Sequence, residues 1–204
     1  MLCRGVRAAE MLRLCLDVNV WVSHYLAAAR RPDLMTASGR LVRIAFAGTC
    51  GLGPVQLIIS HAMLDTLAFV LRRIPVTAPF ADMARDQIEA AAGGGYLAEP
   101  PSIILGGTAA YPLLDQEDAG VLNAAMAGGA NLLVTSNIGD FIRGPRARTD
   151  TTVLSMRGEE PDGIRLDHPK HPGGLTIALP ARAAEWLRGV GPFPAGVSFR
   201  ADLA

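Results

Sequence analysis

The stretch that most constrains this chain is Leu14 to Val22, LCLDVNVWV, an apolar run broken by Asp17 and Asn19 that then resumes. An apolar strand that ends in a carboxylate and passes at once into a helix-compatible segment belongs to open α/β sheets. Such sheets place their chemistry at the carboxyl ends of the strands. Two later stretches repeat the layout. Val55 to Ile59 is β-branched and apolar, ends in Ser60, and leads into Ala62 to Leu71, whose helical spacing carries Asp65. Asp115-Gln-Glu-Asp118 opens an alanine-rich helix, followed by a short strand, Asn131 to Val134, and then Thr135-Ser-Asn137-Ile-Gly-Asp140-Phe141. If these strands lie parallel and adjacent, Asp17, Asp65, Asp118 and Asp140 meet at one end of the sheet. Four carboxylates converging with little positive charge between them need a cation, and hard oxygen donors select Mg²⁺ or Mn²⁺.

The rest of the pattern fits one domain with an extension. Strands are expected at Leu12 to Leu16, Val55 to Ile59, Ser102 to Leu105 and Asn131 to Val134. Helices are expected at Val20 to Ala29, 38 to 47, Ala62 to Arg73, Phe80 to Ala92 and Asp118 to Ala127. Asn19 and Ser38 are suited to cap the first two helices, and Met83, Ile88 and Ala91 to face inward from the fourth. From Arg143 onward the composition shifts toward Pro, Gly, Arg and Asp, with apolar bursts at Val153-Leu154 and Leu175 to Leu179 and a last helix at Ala181 to Arg188. The expected fold is a three-layer α/β/α sandwich with a central parallel sheet over residues 12–142. An irregular C-terminal extension, 143–204, follows it. Residues 1 to about 11 read as a short leader or an over-extended start.

Composition narrows the function classes. The chain has 204 residues, 19 basic and 19 acidic, so net charge does not drive it onto nucleic acid. Any such attraction needs a local rim, for which Arg72, Arg73, Arg143, Arg146 and Arg148 are candidates. No apolar run approaches the roughly 18 to 20 residues that span a bilayer, and Cys3, Cys15 and Cys50 form no metal-binding spacing. A soluble cytoplasmic protein is expected. His24 and His61 read as packed or exposed, and His168-x-x-His171 lacks the cysteines of a zinc site. GTCGLG precedes a strand and fits no nucleotide motif.

Three ordered segments, LDVNVWV from Leu16, IISHAMLDTLAFVLRR from Ile58 and DQEDAGVLNAAMAGGANLLVTSNIGDF from Asp115, resemble the PIN-domain family, in particular the toxin-like members of bacterial toxin–antitoxin pairs. The resemblance covers roughly Leu12 to Ile142. It implies a Mg²⁺- or Mn²⁺-dependent ribonuclease that leaves a 5′-phosphate and a 3′-hydroxyl. Asp17, Asp65, Asp118 and Asp140 would be its catalytic acids, with Asp17, Asp118 and Asp140 as metal ligands. Asn19, Ser60, Thr135 and Asn137 would support them; if RNA is the substrate, Arg72, Arg73 and Arg143 of the basic rim are the residues expected to contact it. It also implies an antitoxin protein as partner and a homodimer. Two positions depart from the family pattern: Asp65 stands where Glu is usual, and Val18 where many relatives carry a small hydroxyl residue.

The structural alternatives are helix capping for Asp17, Asn19, Ser60 and Asp118, a surface acid at Asp65 and a loop acid at Asp140. They lead to a second reading, a non-catalytic module that binds RNA or protein. A haloacid-dehalogenase-type phosphatase ranks last, because Asn19 stands where a second aspartate is needed.

Overall fold

The computed structural model describes residues 11–94, 103–104, 116–142, 151–168 and 171–189. Strand β1 (Leu12–Leu16) is followed by α1 (Val18–Arg30), α2 (Ala37–Ala47), a short β2 (Thr49–Cys50), β3 (Gly53–Ser60) and α3 (His61–Arg73). A 3₁₀ turn (Ala78–Phe80) leads into α4 (Ala81–Gly93), and β4 (Ile103–Ile104), α5 (Gln116–Ala127), β5 (Leu132–Val134) and α6 (Ile138–Ile142) complete the first part. Then come β6 (Thr151–Arg157), β7 (Glu160–His168), β8 (His171–Ala178) and α7 (Pro180–Leu187).

Among the described residues all strands join one mixed sheet in the order β2-β3-β1-β5-β8-β7-β6, with β4 also on β3. Its centre is parallel: β1 pairs with β3 from Leu12↔Val55 to Cys15↔Ile58, and with β5 from Leu14↔Leu132 to Leu16↔Val134. β5 in turn pairs in parallel with β8. Helices flank this centre, as expected of an α/β sandwich. The central strands turn apolar on both faces toward their carboxyl ends because both faces are covered there: Leu14, Cys15 and Leu16 are all buried, as are Leu57, Ile58 and Ile59.

The helices obey their spacing. α3 buries Met63, Leu64, Leu67, Ala68 and Leu71 on one stripe. α4 buries Ala81, Ala84, Ile88 and Ala92, so its inward face is rotated from the one expected, and Met83 is 49% exposed. Two caps also differ. Thr36, not Ser38, caps α2 by accepting from the Gly39 amide at 3.0 Å, since the helix starts two residues earlier than a Ser38 cap requires. Asn19 lies inside α1, whose preceding residue is Asp17, and spends its amide elsewhere.

The described residues after Ile142 are more regular than the Pro- and Gly-rich composition of that part of the chain predicts. β6, β7 and β8 form an antiparallel run that continues the same sheet. Ile164 and Leu166 on β7 are buried while Arg165 and Asp167 are not, the alternation of a strand, whereas β8, between β5 and β7, is buried without a break from Leu175 to Ala178. Glycines and prolines around them hide that pattern in the sequence. Two glycines allow close approaches elsewhere. A Cβ on Gly128, after α5, would stand 2.2 Å from Ile58 Cγ2, and one on Gly51 would stand 2.5 Å from the Arg188 carbonyl oxygen. The Gly51 amide accordingly donates to the Leu187 carbonyl at 2.9 Å, tying the β2–β3 turn to the end of α7.

Candidate active site

Because β1, β3, β5 and β8 are parallel, their carboxyl ends share one edge of the sheet. Asp17 follows β1, Ser60 ends β3 and Thr135 follows β5. The ladder extends one step past the strands: the Asp17 amide donates to the Val134 carbonyl at 2.9 Å, and the Thr135 amide to the Ala178 carbonyl at 3.1 Å. Backbone pairing thus fixes where these two side chains begin.

Asp17 is 4% exposed, an unusual place for a carboxylate. Its Oδ2 accepts from the Thr135 hydroxyl at 2.7 Å and from Asn19 Nδ2 at 2.6 Å. The Asn19 amide also donates to Thr135 Oγ1 at 3.2 Å, while its Oδ1 accepts from the Ser136 backbone at 3.0 Å. Thr135 Oγ1 accepts in turn from the Asn137 amide at 3.0 Å, and the Asn137 side chain donates to Asp140 Oδ2. One hydrogen-bonded chain therefore joins Asp17, Asn19, Thr135, Asn137 and Asp140. Beneath it, burial and then the negative charge of Asp17 push the Cys15 thiol far up, so Cys15 is an inert packing residue.

The other expected residues are placed differently. Ser60 is buried and caps α3, its Oγ accepting from the Met63 amide at 3.2 Å. Asp65 is not drawn into the network: its side chain is 69% exposed and its Oδ1 accepts from Arg85 Nε at 3.4 Å. Arg85 also donates to Glu89 at 3.0 Å. Asp118 is half-buried in the first turn of α5, a helix that packs on β3. Asp115, its partner in the expected capping box, lies outside the described residues.

Arg72 and Arg73 do not rim this edge. α3 starts at the carboxyl end of β3 and runs away from it, which puts them about 18 Å along the helix from Ser60. Arg72 pairs with Asp82, and Arg73 lies over the Phe69 ring at 5.1 Å. Arg143, Arg146 and Arg148 fall outside the described residues. His24 is half-buried and its pKa is lowered by that burial, and His171 Nε2 lies 2.9 Å from the Ala130 carbonyl oxygen. The His168 side chain is outside the described set.

The donor set suits a hard cation in kind. It is made of carboxylate and amide oxygens at the mouth of a parallel sheet, and Mg²⁺ is commonly held through one or two carboxylates with water completing the shell. It does not form an all-protein cage: among the described residues no three His, Cys, Asp or Glu side chains are grouped closely enough to hold an ion. Sequence reasoning missed Arg85, the partner of Asp65, and Trp21, whose indole N–H donates to the Leu16 carbonyl at 3.1 Å. The signal for Trp21 was its position one helical turn after Asp17.

A PIN domain family model matches residues 13–139, more than half of the chain, and the chain belongs to that family. PIN domains are generally nucleases and typically use divalent metal ions, so membership suggests a nuclease-type function. No curated protein and no solved structure matches the chain. Among the described residues no helix is long and apolar enough to cross a membrane.

Proposed function

We propose that the protein is a metal-dependent ribonuclease, acting as the toxin of a toxin–antitoxin pair. The observation that carries this reading is the buried Asp17 carboxylate, held at the carboxyl edge of the sheet by Thr135 and Asn19 and linked through Asn137 to Asp140. Burying a carboxylate is costly unless it is hydrogen-bonded or paired with a cation, so a chain that does this at a strand end is maintaining a site. Asp17, Asp118 and Asp140 would hold Mg²⁺ or Mn²⁺. When bound, the ion would supply an activated water and offset negative charge developing at phosphorus. The chain's own groups orient: Thr135 and Asn19 fix the rotamer of Asp17, and Asn137 turns Asp140 toward the same edge. Arg143, one residue past α6, is the arginine of the proposed rim that follows this edge in sequence. A 5′-phosphate product, an antitoxin partner, a homodimer and a cytoplasmic setting complete the reading.

The test is Asp17→Asn assayed on RNA with Mn²⁺. Cleavage should fall to background, and an unaffected rate would remove Asp17 from its role.

The second reading, a non-catalytic PIN-like module that binds RNA or protein, is favoured by one observation: Asp65 is exposed and engaged by Arg85. Calorimetric titration with Mn²⁺ separates the two. Stoichiometric binding that disappears in Asp17→Asn and Asp118→Asn argues against the module.

A further inference from the structure

The geometry points to Trp21 as a positioning residue for the acid edge, acting through the backbone that delivers Asp17. Trp21 is fully buried and makes two hydrogen bonds across the strand-to-helix junction. Its indole Nε1 donates to the Leu16 carbonyl at 3.1 Å, and its own amide donates to the Asp17 carbonyl at 3.4 Å. One residue thereby bonds the two consecutive carbonyls that flank the Asp17 Cα, the second of them shared with the Val20 amide at 3.0 Å.

The Leu16 carbonyl is a particular acceptor. In β1 the backbone groups of Arg13 and Asp17 turn toward β5, as the bonds from the Asn131 amide to Arg13 and from the Asp17 amide to Val134 show. Groups on alternate residues turn the other way, so the Leu16 carbonyl faces β3. The β1–β3 register runs to Cys15↔Ile58. The Leu16 carbonyl is the acceptor that the next rung of that ladder would use, and the Trp21 indole takes it instead. β1 and β3 are thus released from each other at the level where Asp17 and Ser60 emerge, and the chain turns into α1 with Asn19 aimed at Thr135. The outer face of the Trp21 ring meets Phe46 of α2, with ring centroids 5.8 Å apart and planes at 59°. Packing holds the ring in place, and the N–H does the positioning.

This role rests on Asp17 being the acid of the site, but it can be read without metal or substrate. The experiment is site-resolved amide hydrogen exchange by NMR on the full chain, comparing wild type, Trp21→Phe and Phe46→Ala. Trp21→Phe keeps an aromatic ring and removes the donor. It should speed exchange at the Asp17 and Ser136 amides at least tenfold relative to Leu14 and Leu133. Phe46→Ala removes packing and keeps the donor, so it should lower the melting temperature without that selective change. Uniform acceleration in Trp21→Phe, no change at Asp17 and Ser136, or the same selective pattern in Phe46→Ala would each overturn the role. If Trp21→Phe does not fold, the wild-type indole proton decides: exchange as slow as core amides supports the bond, and exchange at the solvent rate refutes it. Loss of RNA cleavage as a finding would leave this readout intact, so the two failures are distinguishable.

Discussion

The β1–α1 and β3–α3 junctions look alike in sequence and differ in structure. Each is an apolar strand that ends in a polar residue at the same edge of the sheet and turns directly into a helix. At the first, the polar residue is Asp17, immediately before α1, and neighbouring side chains bury and orient its carboxylate. At the second, that position is Ser60, whose oxygen satisfies the helix start, and the acid comes five residues later on an outward face against Arg85. A carboxylate at the junction itself is positioned by the backbone ladder. One placed a turn into the helix goes where the helix rotates it.

The sharpest test of that contrast pairs Asp65→Asn with Asp17→Asn in the RNA assay. The Asp65 change should cost far less activity, and equal losses would show that Asp65 leaves Arg85 to join the edge. Thr135→Val keeps the side-chain shape but removes the hydroxyl that donates to Asp17 and accepts from Asn137. Second-layer partners of this kind typically carry about 10- to 100-fold in metal affinity, which Mn²⁺ titration would measure.

A control away from both junctions is Asp162 on β7. Burial pushes its pKa up, but the Ser155 hydroxyl at 2.6 Å and the Arg182 guanidinium at 2.9 Å outweigh this and hold it below the usual carboxylate range. Its contribution to folding is therefore complete above the unfolded value, about 4, and is lost as pH falls through the lower folded value. Urea midpoints measured from neutral to acid pH should show Asp162→Asn less stable near neutrality, with the gap to wild type closing in acid. A gap that stays constant would refute the assignment. Smallest of all, Ser60→Ala should cost about 1 kcal/mol of stability through the lost cap, while Mn²⁺ titration stays at the wild-type value. A change in metal binding would make Ser60 part of the edge rather than of the helix start.

Much of this edge was legible in the sequence because its groups sit next to strand ends. Asp17, Thr135, Asn137 and Asp140 each follow an apolar run within a few residues, and parallel pairing brings such positions together without further information. The pairing of Asp65 with Arg85 joins two helices twenty residues apart, and depends on a rotation of α4 that alternation of polar and apolar residues does not resolve. For Arg72 and Arg73 the rim reading failed on direction: they are near Asp65 in sequence, yet a helix that begins at the edge carries its last turn away from it. Trp21 was missed because an indole in an apolar run reads as packing, although its N–H must find an acceptor once buried. The strands after residue 150 were obscured by turn-forming residues between short alternating runs.

The position of β8 sets an order of events during synthesis. It lies beside β5, and its last residue, Ala178, accepts the hydrogen bond from the Thr135 amide. A nascent chain that has emerged only through Asp140 therefore has every polar side chain of the network but an open β5 edge, a template for pairing with other chains. The network gains its backbone support only after about forty further residues leave the ribosome. A protein proposed to attack RNA would thus complete this edge only once β8, which follows every side chain of the network in the sequence, has been made.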